Sequence, residues 1–337
     1  MITIKELARL AGTSTAAVSY VIHGKTNKVS PERCQQIRKL MEKYHYVEKM
    51  GLRHLNKGRS QIICLAVNRQ NMDENNPFFA DPFYGLVLGV VEEALHERDY
   101  FLMVYASEDI KEIFKTVAAW NIDGIIAVSF HSGDCNKLVE LTGKPLVSID
   151  TIGKLPGRFI HIGSEDAKGA YLMTKHLISR RCRNISIFAN NDFGVDHDRF
   201  MGYKKALRES GIKPSEKLFV VDKGRSERQR QYEEYLAVPP PGPAGKQAAF
   251  FLSDFYAIEF ISFLARKGIA VPDQIAVAGF DDIVYAALCN PGLTTVRQDI
   301  QNKALIAVEC LFQALEGREQ SSPEIRLPVE LVIRDSA

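Results

Sequence analysis

The six cysteines of this 337-residue chain lie far apart, and no two of them form a CxxC pair. That spacing argues against a zinc knuckle or a disulfide framework and is typical of a reducing compartment. No run of about 18 apolar residues occurs, so no segment is expected to span a membrane. The opening residues, MITIKELARLAG, carry charges early and lack an apolar signal core. We therefore expect a cytoplasmic protein.

Sequence signatures of several enzyme classes are also missing. The patterns GxGxxG, GxSxG and HExxH do not occur. Gly24-Lys25-Thr26 resembles the end of a phosphate-binding loop, but Ser19 stands where its first glycine is needed and no strand precedes it. Asp196-His197-Asp198 offers metal-ligand side chains, but neighbours in an extended loop point to opposite sides and seldom share one ion. We therefore expect no catalytic residues, no metal and no cofactor.

The charges are divided unevenly along the chain. Residues 1–59 contain 12 Lys and Arg against 4 Asp and Glu, whereas the remaining 278 residues contain 31 against 37. A basic segment ahead of an acidic body favours a polyanionic partner for the N-terminal segment alone. A solvated charged face is the alternative that charge by itself leaves open.

The N-terminal segment carries the capping signals of three short helices. Thr3 and Glu6 form a capping box ahead of the first helix. Ser14 can cap a second helix after a turn of helix-turn-helix length, and Ser30 followed by Pro31 begins a third. We expect the apolar faces of these helices to form one small core from Ile4, Leu7, Ala8, Ala11, Ala17, Val18, Val21, Ile22, Cys34, Ile37, Leu40, Met41 and Tyr44.

The second of these helices is placed as the recognition helix of such a motif. Its exposed residues Thr15, Ala16 and Tyr20 would reach base edges in the major groove. Basic side chains would flank them as phosphate contacts that set register without reading sequence, namely Lys5, Lys25, Lys28 and Arg33. On spacing alone, any small helical bundle remains the alternative.

Two stretches of this segment, TIKELARLAGTSTAAVSYVIHGK and VSPERCQQIRKLMEKYHYV, resemble the DNA-binding head of the LacI/GalR family nearly residue for residue. The resemblance implies a helix-turn-helix domain over residues 1–46 and a hinge over 47–59. In that family the hinge folds on DNA, and a leucine at the place of Leu55 wedges into the minor groove. The DNA-binding residues that the resemblance implies are Thr3, Lys5, Ser14, Thr15, Ala16, Ser19, Tyr20, His23, Lys28, Arg53 and Leu55.

From residue 60 onward, short apolar runs alternate with amphipathic segments. Buried parallel strands are indicated by IICLAV, YFLMVYA, DGIIAVSF and KPLVSID, and by a second series, NISIFA, QAAFFLS and QIAVAGF. The pattern predicts helices near 84–98, 107–119, 165–180, 198–210 and 256–268. Two such series predict an α/β protein with two doubly wound parallel-sheet subdomains that face each other across a cleft. AVPPPGPAGKQ (237–247) is typical of a surface loop.

This body resembles the effector domain of the same family, which has a periplasmic-binding-protein-like fold, in NPFFADPFYGLVLGVVEEA, NIDGIIAVSF, DRFMGYKKAL, VPDQIAVAGFDD and NPGLTTVRQD. The resemblance implies one domain over 60–337 whose chain crosses between subdomains near 161, 292 and 322. It also implies an effector pocket formed by Phe83, Tyr84, Asp150, Arg199, Ser253, Asp254 and Asp281. Guanidinium and carboxylate groups suit a sugar or a sugar acid. Taken alone, each could equally be a structural ion pair or a strand-end cap.

Together these features predict a transcription regulator, with repression as the expected direction of control. It would bind a pseudo-palindromic double-stranded operator as a homodimer, with a tetramer as the alternative. A sugar or sugar derivative in the cleft would set the closure of the subdomains and hence the spacing of the two hinges. Two other classes stay open: a sugar-binding protein without DNA function, and an α/β enzyme on the same scaffold.

Overall fold

The computed structural model describes residues 2–46, 59–69, 81–153, 158–214, 218–221, 224–237, 246–318 and 323–337. Most of the hinge expected at 47–59, including Arg53 and Leu55, lies outside the described residues, as does most of the loop predicted at 237–247. The chain separates into two compact units, Met1–Ser60 and Gln61–Ala337. Each unit is described by itself.

In its described residues, the first unit has three α-helices: α1 (Ile4–Leu10), α2 (Thr15–Ile22) and α3 (Pro31–Lys43). The predicted caps are confirmed. The Glu6 carboxylate accepts from the Thr3 amide at 2.8 Å, and the Thr3 hydroxyl accepts from the Glu6 amide. The hydroxyls of Ser14 and Ser30 accept from backbone amides three residues further on.

The core of this unit consists of Leu7, Ala8, Ala11, Val18, Val21, Cys34 and Ile37. The prediction that Tyr44 belongs to it is wrong, because 40% of that residue is exposed. Helix α3 ends at Lys43, so its 3.6-residue periodicity no longer sets the direction of the next side chain. Tyr46 packs against the core instead.

In the described part of the second unit, the strands are β1 (Ile62–Val67), β2 (Phe101–Ala106), β3 (Gly124–Val128), β4 (Leu146–Ile149), β5 (Ile160–Ser164), β6 (Cys182–Ala189), β7 (Leu218–Val220), β8 (Lys246–Phe251), β9 (Ile275–Ala278), β10 (Thr295–Gln298), β11 (Glu324–Leu327) and β12 (Val329–Val332). They form a parallel six-stranded sheet of order β11-β5-β4-β3-β1-β2 and a parallel four-stranded sheet of order β7-β6-β8-β9. Strands β10 and β12 form an antiparallel ribbon.

The helices of this unit are α4 (Pro82–His96), α5 (Ile110–Ala119), α6 (Ser132–Thr142), α7 (Asp166–Ser179), α8 (Gly194–Glu209), α9 (Arg225–Leu236), α10 (Asp254–Arg266), α11 (Val284–Leu288) and α12 (Ile300–Leu315). Helices α4 and α12 cover one face of the six-stranded sheet, and α5 and α6 cover the other. Helices α7 and α8 cover one face of the four-stranded sheet, and α9 and α10 the other. Both subdomains are therefore doubly wound. None of the described helices has the length and apolar character needed to cross a membrane.

The chain passes between the two subdomains at three places within the described residues. It leaves the six-stranded sheet after Ser164, at the end of β5, and returns after Gln298, at the end of β10. It crosses again at Pro328, between β11 and β12. Each crossing lies a few residues beyond the position expected from the sequence, because each strand runs to its carboxyl end before the chain changes sheets.

Candidate effector cleft and DNA-reading helix

The strands of both sheets point their carboxyl ends towards one cleft, as doubly wound folds dictate. The cleft has a volume of about 640 Å³, which includes its opening to solvent. Residues from both subdomains line it. Six of the seven predicted effector residues are among them, namely Phe83, Tyr84, Asp150, Arg199, Ser253 and Asp281.

Asp254 is the exception, and we correct the expectation that it contacts the effector. Its carboxylate is completely buried and does not line the cleft. It accepts from the Thr295 hydroxyl at 2.5 Å and from the Ile283 amide at 3.0 Å. Burial, followed by the nearby Asp281 carboxylate, raises the pKa of Asp254 well above its usual range. This side chain fixes the loop that carries Asp281.

Arg199, on α8, is the centre of a buried charge cluster. Its Nε donates to Asp166 Oδ1 at 2.8 Å, and its Nη1 donates to the Leu252 carbonyl at 2.6 Å. The guanidinium carbon lies 3.7 Å from the centre of the Phe280 ring. Asp281 Oδ1 lies 3.9 Å from Nη1, and Asp196 is at a similar distance. Burial alone would lower the pKa of Arg199, but the surrounding carboxylates raise it, so the group stays charged.

A second buried cation was not predicted from the sequence. Lys303, on α12, is completely buried, and its Nζ donates to both oxygens of Asp150, at 2.8 and 3.1 Å. It also donates to Gln298 Oε1 at 2.7 Å, and Gln298 Nε2 donates to Asp281 Oδ1 at 2.6 Å. This chain of hydrogen bonds joins Asp150 of the first subdomain to Asp281 of the second.

The sequence held one signal for Lys303. Ile300, Ala304 and Ala307 follow helical spacing and are all buried, and Lys303 falls on that same face. A lysine on an apolar helix face is buried only when it is paired. Gln298, by contrast, ends a short strand with no pattern that distinguishes it from a surface residue.

Three cleft residues at strand ends adopt left-handed backbone conformations. Ser129 has a φ of 60°, Asp150 of 52° and Asp281 of 122°. Non-glycine residues held at such angles cost on the order of 1–3 kcal/mol each, and they cluster at functional sites. The surrounding hydrogen bonds of Asp150 and Asp281 hold these turns in place.

The Asp196-His197-Asp198 triplet lies in the first turns of α8, so the expectation of an extended loop is wrong, and its side chains do not converge on one point. Asp196 is buried, and its Oδ2 accepts from the amides of Asn190 and Asn191 at 2.9 and 3.3 Å. His197 is exposed and Asp198 is half-buried. Within the described ranges, no group of three or more His, Cys, Asp or Glu side chains is arranged to hold a metal ion. Asp196 alone supplies the cap for the 190–191 turn.

Burial perturbs the two carboxyl groups of the cleft that lie beside Arg199. It raises the pKa of Asp196 to about 6 and that of Asp281 to about 7, although the Arg199 guanidinium opposes both shifts. In the unfolded chain an aspartate titrates near its ordinary value of about 3.9. Between that value and pH 7 the folded chain therefore binds more protons at Asp281 than the unfolded chain does.

Replacing Asp281 by asparagine is expected to remove part of the pH dependence of stability. Excess protons on the folded state make the free energy of unfolding fall as pH rises through this window, by about 1.4 kcal/mol for each pH unit at most. Measured by urea denaturation, Asp281→Asn should therefore gain stability relative to the parent from pH 4 to pH 8. The exposed Asp273→Asn is the control, and a parallel response of both variants would contradict the assignment.

Helix α2 in the first unit presents a mixed surface. Thr15 and Ala16 are exposed, as expected, but the expectation that Tyr20 is exposed is wrong, because it is half-buried like Ser19 and His23. Lys5 is exposed, and the exposed Lys28 places its Nζ 5.1 Å from the centre of the Tyr20 ring. The hydroxyls of Thr3 and Ser14 cap α1 and α2.

Arg33, which was expected among the phosphate contacts, makes contacts within the head. Its Nη1 donates to the Ala11 carbonyl at 2.5 Å, at the C-terminus of α1, and also to Gln36. A guanidinium at that place satisfies a helix-end carbonyl and opposes the negative end of the helix dipole. Arg33 therefore ties α3 to α1 within the head.

Comparison with known proteins agrees with both units. Residues 3–48 match the profile of bacterial regulatory proteins of the lacI family, and residues 174–337 match that of the periplasmic binding protein-like domain. The transcriptional regulator DegA of Bacillus subtilis is 26% identical over 99% of this chain and 97% of its own. The transcriptional repressor PurR of Pasteurella multocida is 28% identical over 100% of this chain and 98% of its own.

Solved structures show the same fold. The Lac repressor dimer bound to operator and the anti-inducer ONPF has a TM-score of 0.81 at 19% identity, over 99% of this chain and 98% of that one. The complex of the transcriptional regulator CelR with cellobiose has a TM-score of 0.70 at 23% identity, over 100% of both chains. The chain is therefore a transcription regulator with a helix-turn-helix head and a periplasmic-binding-protein-like domain. It belongs to the LacI family, as the sequence predicted.

Proposed function

We propose that this regulator is a repressor whose operator binding is controlled by a sugar or sugar derivative in the cleft. The observation that carries the proposal is a cleft lined from both subdomains by Asp150, Arg199 and Asp281, with two aromatic side chains beside them. Carboxylates and a guanidinium match hydroxyl groups, and the rings of Phe83 and Tyr84 offer apolar contact. One relative is named as a transcriptional repressor, and one structural neighbour is a regulator in complex with cellobiose; both support the same conclusion.

The cleft gives a route from effector to operator. A ligand that contacts Asp150 and Asp281 at once bridges the two subdomains, so it favours one closure over another. The Lys303–Gln298 link already couples these two residues across a crossing of the chain. We propose the domains 1–46, 47–59 and 60–337 as reader, hinge and effector domain. A coupling of about 1–3 kcal/mol between the sites is sufficient for such a switch.

The reader is tested by two variants that separate base contacts from phosphate contacts. Tyr20→Ala should lower affinity for the selected operator by about 1–3 kcal/mol while leaving random DNA almost unaffected. Lys5→Ala should weaken binding to all DNA sequences alike. It should also reduce the slope of log affinity against log salt concentration by about one. Fluorescence anisotropy with an operator selected from genomic fragments measures both effects.

Lys115→Ala removes the same charge from an exposed position of the other unit and serves as the control for Lys5→Ala. The assignment of α2 as the reading helix fails if selection returns the same motif for Tyr20→Ala as for the parent.

We propose that the chain acts as a homodimer, with a tetramer as the alternative. Helix α11 exposes 66% of Val284, 53% of Tyr285 and 73% of Leu288, which makes one apolar patch on the effector domain. Contiguous apolar patches mark association surfaces, and a two-fold dimer buries such a patch against itself. A dimer also places two heads on two operator half-sites.

Leu288→Lys should weaken the dimer because two facing patches would each receive a buried charge. Sedimentation velocity at micromolar concentrations should then show monomers where the parent shows dimers. Trp120, which is 58% exposed at the end of α5, provides the control Trp120→Lys, expected to stay dimeric. A parent that is monomeric at operator-binding concentrations contradicts the proposal.

A further inference from the structure

In the described part of the chain, more carboxyl groups than cationic groups surround the cleft. Among the residues that the structure describes, Asp81, Asp150, Asp196 and Asp281 line it, and Asp166 lies directly behind Arg199. Against these five carboxyl groups stand two cations, Arg199 and Lys303, one lining the cleft and one behind it. An incoming ligand therefore meets a surface with an excess of acid.

Carboxylates of the protein already balance the charges of both cations. Arg199 already donates to Asp166 and to the Leu252 carbonyl, and one face of its guanidinium rests on Phe280. Lys303 is completely buried, and three acceptor atoms of Asp150 and Gln298 surround its Nζ. The remaining N–H groups of Arg199 can still donate to a neutral oxygen. A ligand carboxylate or phosphate, however, would compete with the carboxylates that already share these two cations and leave a buried negative charge without a countercharge, which is costly.

The acceptor groups of the cleft instead favour a ligand that supplies hydrogen-bond donors. The Asn190 side chain lines it, and its buried Oδ1 has no hydrogen-bond partner in the described part of the chain. Buried acceptors are nearly always paired in folded proteins, so a ligand donor is the natural partner. The remaining carboxylate lone pairs of Asp150, Asp196 and Asp281 accept donors as well. Hydroxyl and ammonium groups supply donors, whereas ionised carboxylates and phosphates do not.

From this geometry we infer that the effector is an uncharged or amine-bearing polyol, and that the cleft excludes sugar acids and sugar phosphates. The inference rests on the proposed sugar effector and narrows it, because guanidinium chemistry alone had left sugar acids open. Burial is the main cause that raises the pKa values of Asp196 and Asp281, and the neighbouring carboxylates of Asp166 and Asp81 add to these shifts.

A matched panel of ligands tests the inference on the full-length protein. Glucose, galactose and mannose would each be offered as the neutral sugar, the 2-amino sugar, the uronic acid and the 6-phosphate, together with neutral pentoses and disaccharides. Thermal shift identifies binders, and calorimetric titration measures them. The tightest ligand should be neutral or an amine, with its anionic counterparts at least about 100-fold weaker, because like charges repel in a desolvated site.

The two ways of failing are distinguishable. A uronic acid or a phosphate as the tightest ligand overturns the inference and leaves the sugar-controlled regulator standing. If no ligand of the panel binds, the proposed sugar class of effector is wrong, and so is the inference. Operator binding by the head is tested separately by its own measurement.

A charge variant sharpens the test. Asp150→Asn leaves the Lys303 ammonium with its amide acceptor but without a carboxylate, so the anionic counterpart of the best ligand should gain at least about tenfold relative to the neutral form. Asp196→Asn is the second variant, should the first not fold. The exposed Asp273→Asn should leave the ratio of the affinities for the anionic and the neutral ligand unchanged. An unaltered ratio in both Asp150→Asn and Asp196→Asn overturns the inference.

Discussion

Replacing Lys303 by methionine is expected to lower the free energy of unfolding by about 3–5 kcal/mol, as breaking one side of a buried ion pair does. The Nζ group is fully enclosed and is the countercharge of Asp150 at 2.8 Å. Without it, the Asp150 carboxylate stays 94% buried with no cation of the described residues in contact, and Gln298 loses one of its donors. Urea denaturation of both proteins at pH 8 measures the difference.

Two comparisons separate burial from charge. Lys267→Met removes an ion pair with Glu233 that is equally short, 2.6 Å, but about half exposed, and should cost less than about 1 kcal/mol. The double variant Lys303→Met/Asp150→Asn removes both charges and should recover most of the loss. Asparagine is chosen because it tolerates the left-handed backbone at position 150. If Lys303→Met is no less stable than Lys267→Met, the buried pair does not stabilise the fold.

The head could be predicted almost to the residue because its signals are local. A capping box joins Thr3 to Glu6, and a serine followed by proline marks the start of α3, so each boundary depends on neighbours three residues apart. The same locality explains the error at Tyr44. Its helical spacing was correct, but the residue lies one position beyond the end of the helix.

The long apolar strands of the effector domain were equally readable, since β1, β3 and β4 are buried along their whole length. Short strands near the crossings were not. Strand β11 is four residues long and pairs with β5, so that Glu324 lies opposite His161. Such strands are defined by partners from distant parts of the chain, and four residues hold no periodicity of their own. Helix α9 escaped prediction because its sequence, RSERQRQYEEYL, is almost uniformly polar.

For the cleft, the sequence predicted which residues converge but not what holds them. Residues at the carboxyl ends of parallel strands meet at one edge, which places Asp150 and Asp281 correctly. The link between them runs through Lys303, 153 positions after Asp150, and depends on how α12 packs after the second crossing. Asp254 lies at the same edge, but the turn that follows β9 covers it. A position at the end of a strand does not show how deeply the side chain is buried.

Gly202→Ala should destabilise the effector domain by about 3 kcal/mol or more, because it overpacks a backbone contact. Gly202 lies on α8, where a Cβ atom would be 1.9 Å from the carbonyl oxygen of Ala167 on α7. Backbone cannot move aside as a side chain can, so the two helices must separate. They carry Arg199 and Asp166, whose 2.8 Å ion pair would be stretched, and ligand affinity should fall with stability.

The sign of this change is decisive, because helix propensity predicts the opposite. An alanine in place of a helical glycine normally stabilises by about 0.5–1 kcal/mol. Gly89→Ala on α4 should show that gain and is the matched control, because no atom of the described residues outside the helix's own backbone and the chain neighbours lies within 4 Å of the new methyl group. Thermal and urea denaturation of the two variants show whether helix propensity or the backbone contact decides the stability at each position. A Gly202→Ala protein that melts at or above the parent would mean that α7 and α8 do not pack backbone to backbone, and the placement of Arg199 against Asp166 would lose its support.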